Sequence, residues 1–216
     1  MISVLFMVFS IFAHTGGSLK SELDEYLKKN FSGYKEFQYE IVEMPENFKK
    51  ASILKTNELN VSGNLAYVPV KVVTDDNRVT KTFITIRLKL FQEVLVAAKP
   101  IKSRETLTAG DFQLEKVDVT QVRGSAVKTL KGIETLRSKI SLRAGDVLVK
   151  EAVEAKPIIN VGDQVNASVS SGSVYVSTEA TARQEGLRGD IIQIITKNKK
   201  LFKAKIIDSK NVLIIE

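Results

Sequence analysis

The sequence predicts a mainly β protein with minor α content: an N-terminal helix on an antiparallel sheet, a compact middle β module, and a C-terminal small β barrel or sandwich. Three observations predict it. Apolar residues recur at helical steps between Leu19 and Phe31, they alternate with polar residues through the strands that follow, and short apolar pieces broken by Gly-Asp turns fill the second half of the chain. At 216 residues the chain exceeds the commonest size of one domain, so two or three small domains are expected. Its 44% hydrophobic and 26% charged residues are those of a chain that folds.

Residues 1–17 contain the apolar run 2–13, too short to span a bilayer as a mature helix, and read as a signal peptide. No Lys or Arg precedes the run, and Ile11-Phe12-Ala13 is a poor small-x-small cleavage site. The single histidine, His14, lies in this segment. No other stretch is long enough to cross a membrane, so the mature protein is expected to be exported and not membrane-bound.

After Gly16-Gly17, Ser18 is placed to cap a helix whose apolar face is Leu19, Leu23, Tyr26, Leu27 and Phe31. Glu22, Asp24 and Glu25 come early on it and Lys28 and Lys29 late, an order that suits the helix dipole. Strands are expected at 37–44 and 65–74, the second with Ala66, Val68, Val70 and Val72 at alternate positions. Asp75-Asp76-Asn77 supplies turn chemistry, and Ile84, Ile86, Leu88 and Leu90 then alternate with Thr85, Arg87 and Lys89, so the two segments should pair as a long hairpin. Residues 18–92 thus form the expected first domain.

From Glu93 the texture changes. Ala109-Gly110-Asp111 and Ala144-Gly145-Asp146 look like near copies, each a glycine able to take a positive φ followed by an aspartate able to bond its own backbone. The signature returns in Val161-Gly162-Asp163 and Arg188-Gly189-Asp190, among strands expected at 165–169, 174–177, 191–196, 201–207 and 212–215. Gly110, Asp111, Gly145, Asp146, Gly162, Asp163, Gly189 and Asp190 are therefore assigned as structural turns. Lys156-Pro157 is a natural boundary, which divides a middle domain, 93–154, from a C-terminal one, 155–216.

Chemistry is largely excluded. There are no cysteines, and the only histidine is expected to be lost, so Ser-His, Cys-His and zinc arrangements cannot be built. Asp75 and Asp76 are adjacent acids in a hairpin turn, and no phosphate-cradling glycine loop opens a helix. No catalytic residue, cofactor or metal is assigned. Lys plus Arg is 32 against 25 Asp plus Glu, a net +7 spread thinly along the chain, and no nucleic-acid fold motif accompanies it. The densest basic cluster, Lys197, Asn198, Lys199 and Lys200 with Phe202 behind, reads as a solvated hairpin tip. Arg188-Gly189-Asp190 reads as a turn rather than a cell-attachment tripeptide, and Asn60-Val61-Ser62 and Asn166-Ala167-Ser168 as incidental glycan acceptor patterns.

The run Val94-Leu95-Val96-Ala97-Ala98-Lys99-Pro100-Ile101, then Leu107-Thr108-Ala109-Gly110-Asp111-Phe112 and Arg143-Ala144-Gly145-Asp146-Val147-Leu148, resembles the SAF domain, a convoluted antifreeze-like β-clip. The stretch from Pro157 through Gly162-Asp163, Glu185-Gly186, Gly189-Asp190 and Asn198 is similar to the C-terminal β domain of the flagellar basal body P-ring formation chaperones. The resemblance covers about 94–216. It departs at Arg104 and near Thr135, where the family usually has glycine, so those two turns are expected to adopt other geometries.

The resemblance implies a non-catalytic periplasmic chaperone that binds P-ring subunits and assists their assembly, with no nucleic acid partner. A SAF-containing pilus assembly protein of the cell envelope and a carbohydrate-binding SAF protein are the alternatives. The contact residues and the oligomeric state are left open by the sequence.

Overall fold

The computed structural model describes residues 16–55, 59–171 and 174–215; the expected signal segment, apart from Gly16 and Gly17, lies outside them. The chain divides into two compact units. One comprises the chain up to Lys99 with Gly110–Leu130 and Arg143–Glu151, the other Pro100–Ala109, Lys131–Leu142 and Ala152–Glu216. Residues of the expected middle domain contribute to both.

The first unit opens with helix α1, Gly16–Asn30. It starts before Ser18, so that serine lies inside the first turn rather than capping it. The poor helix formers Gly16 and Gly17 stay helical because Leu19 and Leu23, both buried, fix the helix on its sheet, and packing outweighs propensity. Leu27 and Phe31 complete the buried face. The acidic residues do not serve the dipole, since none lies in the first turn. They reach other elements instead: Asp24 accepts from the Tyr39 hydroxyl at 2.6 Å, Glu22 from the Ile53 N–H at 3.2 Å, and Glu25 meets Lys55 at 3.4 Å.

Strands β1 (Glu36–Glu43), β2 (Phe48–Ile53), β3 (Asn60–Ser62), β4 (Leu65–Thr74), β5 (Val79–Ala97) and β6 (Phe112–Asp118) form one sheet in the order β1-β5-β4-β2, with β3 on β4 and β6 on β5. The hairpin β4–β5 pairs Leu65 with Arg87 through to Val73 with Val79. Its turn places Asn77 at φ 62 and returns the Thr74 N–H to the Arg78 carbonyl at 2.9 Å. Alternation buries Ala66, Val68, Val70 and Val72 with Ile84, Ile86, Leu88 and Leu90, and α1 packs on them. β5 does not stop at the texture change near Glu93. Its partner changes there, from β1, last paired at Phe91, to β6, which runs from Asp118 opposite Phe91 to Phe112 opposite Ala97.

The second unit holds a two-stranded ribbon, β7 (Leu136–Ser138) with β8 (Val153–Ala155), and a barrel of β9 (Gln164–Ser171), β10 (Val174–Ala182), β11 (Ile191–Thr196), β12 (Leu201–Ile206) and β13 (Asn211–Ile215). Of the two expected architectures, barrel and sandwich, the barrel forms: each strand pairs antiparallel with the next, and β13 closes on β9 in parallel. Its core alternates large and small side chains, Ile159, Ile192, Ile194, Ile206 and Val212 with Ala167, Ala180, Ala182 and Ala204, as a narrow barrel requires.

Candidate binding surface of the barrel unit

The Gly-Asp sites resolve into one repeated device. In Arg143–Asp146, Asn160–Asp163 and Leu187–Asp190 the fourth residue's N–H donates to the first carbonyl at 3.1, 3.2 and 3.1 Å, and the aspartate Oδ2 accepts from the first N–H at 2.7, 2.7 and 2.8 Å. The third residue is Gly145, Gly162 or Gly189, at φ 89, 95 and 94, where a Cβ would be strained. Each turn then grips a distant segment twice. The glycine N–H donates to the carbonyl of Ala97, Ala182 or Ile206, and that residue's N–H donates back to the aspartate carbonyl, all within 2.8–2.9 Å. Two residues beyond each aspartate stands a buried Leu148, Val165 or Ile192.

Lys102–Glu105 is a fourth copy without glycine. Arg104 takes φ 66, Glu105 accepts from the Lys102 N–H at 2.8 Å, and Arg104 and Glu105 bracket Ser138 at 2.7 and 3.0 Å. The expectation of another geometry at Arg104 is thus corrected: the hydrogen bonds of the bracket outweigh the left-handed strain of an arginine, about 1–2 kcal/mol. Near Thr135 the left-handed residue is Gly132, at φ 77, whose carbonyl accepts from the Thr135 N–H at 3.1 Å.

Gly110 and Asp111 are not such a turn. Ala109–Asp111 is a single 3-10 turn leading into β6, and Gly110 is absent from the left-handed residues. Asp111, only 2% exposed, pairs with Lys99 at 2.8 Å. Its structural counterpart is Lys150–Ala152, a 3-10 turn leading into β8. The two Ala-Gly-Asp triplets share letters but occupy different places in the repeat.

Three of the four brackets border one shallow depression in the second unit. Arg104, Val161 and Asp190 lie on its rim with Arg183, Glu185 and Ile191. Glu185 is its electrostatic hub. It receives two parallel bonds from Arg137, at 2.8 and 2.7 Å, and Arg104 stands 3.5 Å away. The Arg137 guanidinium holds the Glu185 carboxyl below the usual carboxylate range. Arg137 also donates from Nε to Glu154 at 2.7 Å, which ties the β7–β8 ribbon into the network. These groups are mutually satisfied and present no activated acid, base or nucleophile.

The remaining sequence-marked residues are surface features. Lys197 pairs with Glu179 at 2.6 Å, Lys199 turns the β11–β12 hairpin at φ 60, and Phe202 packs against the barrel core, so no stacking platform forms at that tip. Arg188-Gly189-Asp190 is part of a bracket. Among the described residues no group of three or more His, Cys, Asp or Glu could hold a metal ion, and no helix is long and apolar enough to cross a membrane.

A sequence profile of the family described as chaperone for flagella basal body P-ring formation matches residues 92–214, more than half of the chain. The chain belongs to that family. The matched span contains all four brackets and the barrel as far as Ile214. Two solved structures resemble the fold. Salmonella FlgA in open form has a TM-score of 0.58 at 14% identity, over 89% of this chain and 91% of that one. The flagellar protein FlgA from Thermotoga maritima has a TM-score of 0.59 at 21% identity, over 94% of this chain and 73% of that one. No curated protein matches the chain.

Proposed function

We propose that the protein works in the periplasm as a non-catalytic chaperone that binds P-ring subunits and assists their assembly into the flagellar basal-body P ring. The family match over 92–214 carries this reading. In it, 93–154 is a SAF module between an N-terminal α+β domain, 18–92, and a C-terminal β domain, 155–216, and residues 1–17 direct export. A chaperone without an energy source acts by differential binding alone: it covers apolar surface on an unassembled subunit and yields it when a neighbouring subunit binds better. The rigid brackets suit that role, because they hold a preformed surface and so lower the ordering cost of binding.

Two measurements test the reading. Cells lacking the gene should build basal bodies without P rings and swim poorly; normal rings and motility would sink it. Fractionation of wild-type cells should recover the mature chain with periplasmic markers, and recovery with cytoplasmic ones would refute export.

A further inference from the structure

Strands β11 and β13 are apolar on both faces. Ile192 and Ile194 of β11 and Val212 and Ile214 of β13 belong to or pack against the barrel core. Alternation turns Ile191, Ile195, Leu213 and Ile215 outward. Two-sided apolar strands are the composition of strands covered on both sides, yet in a closed barrel only one face meets the core. On the outside, register builds three rows across β11, β12 and β13: Ile191, Lys205 and Leu213; Gln193, Lys203 and Ile215; then Ile195 and Leu201. Ile191 is 57% exposed and Leu201 63%. Both lysines are exposed, their cross-strand neighbours carry no carboxylate, and neither forms an ion pair among the described residues.

We propose that this outer face of β11–β12–β13 is the surface that docks the P-ring subunit, and that it takes a segment presenting carboxylates flanked by apolar side chains. The proposal rests on the chaperone reading above. The placement of charge selects the occupant. A membrane-binding surface inserts apolar side chains at its centre and sends lysines from its margin to the headgroups; here the lysines lie on the middle strand with apolar side chains on both flanks. A second copy of this chain, docked about a two-fold axis, would set Lys203 and Lys205 against their own kind. A protein segment with paired carboxylates satisfies both lysines while its apolar flanks cover Ile191 and Leu201, the desolvated arrangement in which such contacts count most.

The test measures binding of the purified full chain to purified P-ring subunit for the wild type, I191S/L201S and K203E/K205E. Both variants should bind at least about tenfold more weakly, K203E/K205E should lose most of the salt dependence, and melting should be unchanged because the altered side chains point away from the core. Should I191S/L201S melt early, K203E alone still decides. Wild-type affinity in both variants would overturn the surface and leave the chaperone reading standing. A wild-type chain that does not bind the subunit would overturn both. Co-sedimentation with phosphatidylglycerol vesicles, or a dimer in sedimentation analysis, abolished in either case by I191S/L201S, would reassign the face and overturn the proposal.

Discussion

Arg137 and Glu185 lie 48 residues apart in the chain and meet through two parallel bonds, Nη1 to Oε2 at 2.8 Å and Nη2 to Oε1 at 2.7 Å. The Arg137 side chain is 11% exposed, against 27% for Glu185 and 37% for Glu154. Arg137→Ala leaves two partly buried carboxylates facing each other's field. The loss expected in urea unfolding is about 2 kcal/mol, below the full cost of breaking a buried pair because both acids still reach water. Arg137→Lys should recover less than half of it, since an ammonium cannot make the fork.

The same pair predicts a pH dependence. Arg137 depresses the folded-state pKa of Glu185, so its stabilisation is present above the ordinary carboxylate range and is lost as pH falls through the depressed folded value. Glu185→Gln should flatten the acid limb of stability against pH. An unchanged acid limb would show that other carboxylates carry it.

Arg104 and the bracket glycines should respond oppositely to exchange. Gly145→Ala, Gly162→Ala and Gly189→Ala put a Cβ on left-handed backbone with open space around it, at a cost of about 1 kcal/mol each. Arg104→Gly relieves such strain, partly offset by greater freedom of the unfolded chain, and should be neutral or stabilising by up to about 1 kcal/mol. Arg104→Val should destabilise by more than Gly→Ala does, because β-branching disfavours this backbone region. Chemical denaturation of the five variants checks the order.

Gly186 is constrained by space rather than by backbone. A Cβ there would stand 2.7 Å from Ile206 Cδ1 and 3.0 Å from Ile192 Cγ2. Gly186→Ala should cost about 1–3 kcal/mol by overpacking the barrel. Ile206→Val removes the clashing methyl, so the double variant should be more stable than Gly186→Ala alone; a double-mutant cycle without coupling would refute the clash.

Tyr39 predicts the alkaline limit. Its burial first, and the hydrogen bond that its hydroxyl donates to the Asp24 carboxylate second, push the phenol well above its ordinary value. The folded state therefore holds this proton after the unfolded chain would release it, and the contribution is intact below about pH 10 and lost as pH rises beyond. Tyr39→Phe should reduce the alkaline loss of stability, and an ultraviolet titration should show one fewer late-ionising tyrosine.

Period alone made much of the fold legible. The α1 face, the β4–β5 hairpin and the barrel strands follow from spacing, because each has one face in a core. β2, with Lys49 and Lys50, and β6, with Gln113 and Glu115, carry polar residues where alternation would show, so period does not mark them. The brackets were legible where glycine and aspartate stood together, and hidden at Lys102–Glu105, where arginine and glutamate perform the same backbone work. Identical Ala-Gly-Asp letters misled, because Gly110 sits in a 3-10 turn that follows a bracket. Arg137 gave no signal at all: nothing local in a sequence announces a partner in another segment. The outward apolar residues of β11 and β13 were visible as letters, but only barrel closure tells which of them face away from the core.

The brackets also set an order of assembly. Gly162 with Ala182 and Gly189 with Ile206 join segments close along the chain, whereas Arg104 with Ser138 and Gly145 with Ala97 enclose longer loops, whose closure costs more entropy. These two short brackets should therefore latch first and the longer loops last. Pulse-labelling hydrogen exchange during refolding would then see the Ala182 and Ile206 amides protected before those of Arg104 and Ala97, so that brackets translated later form before those translated earlier.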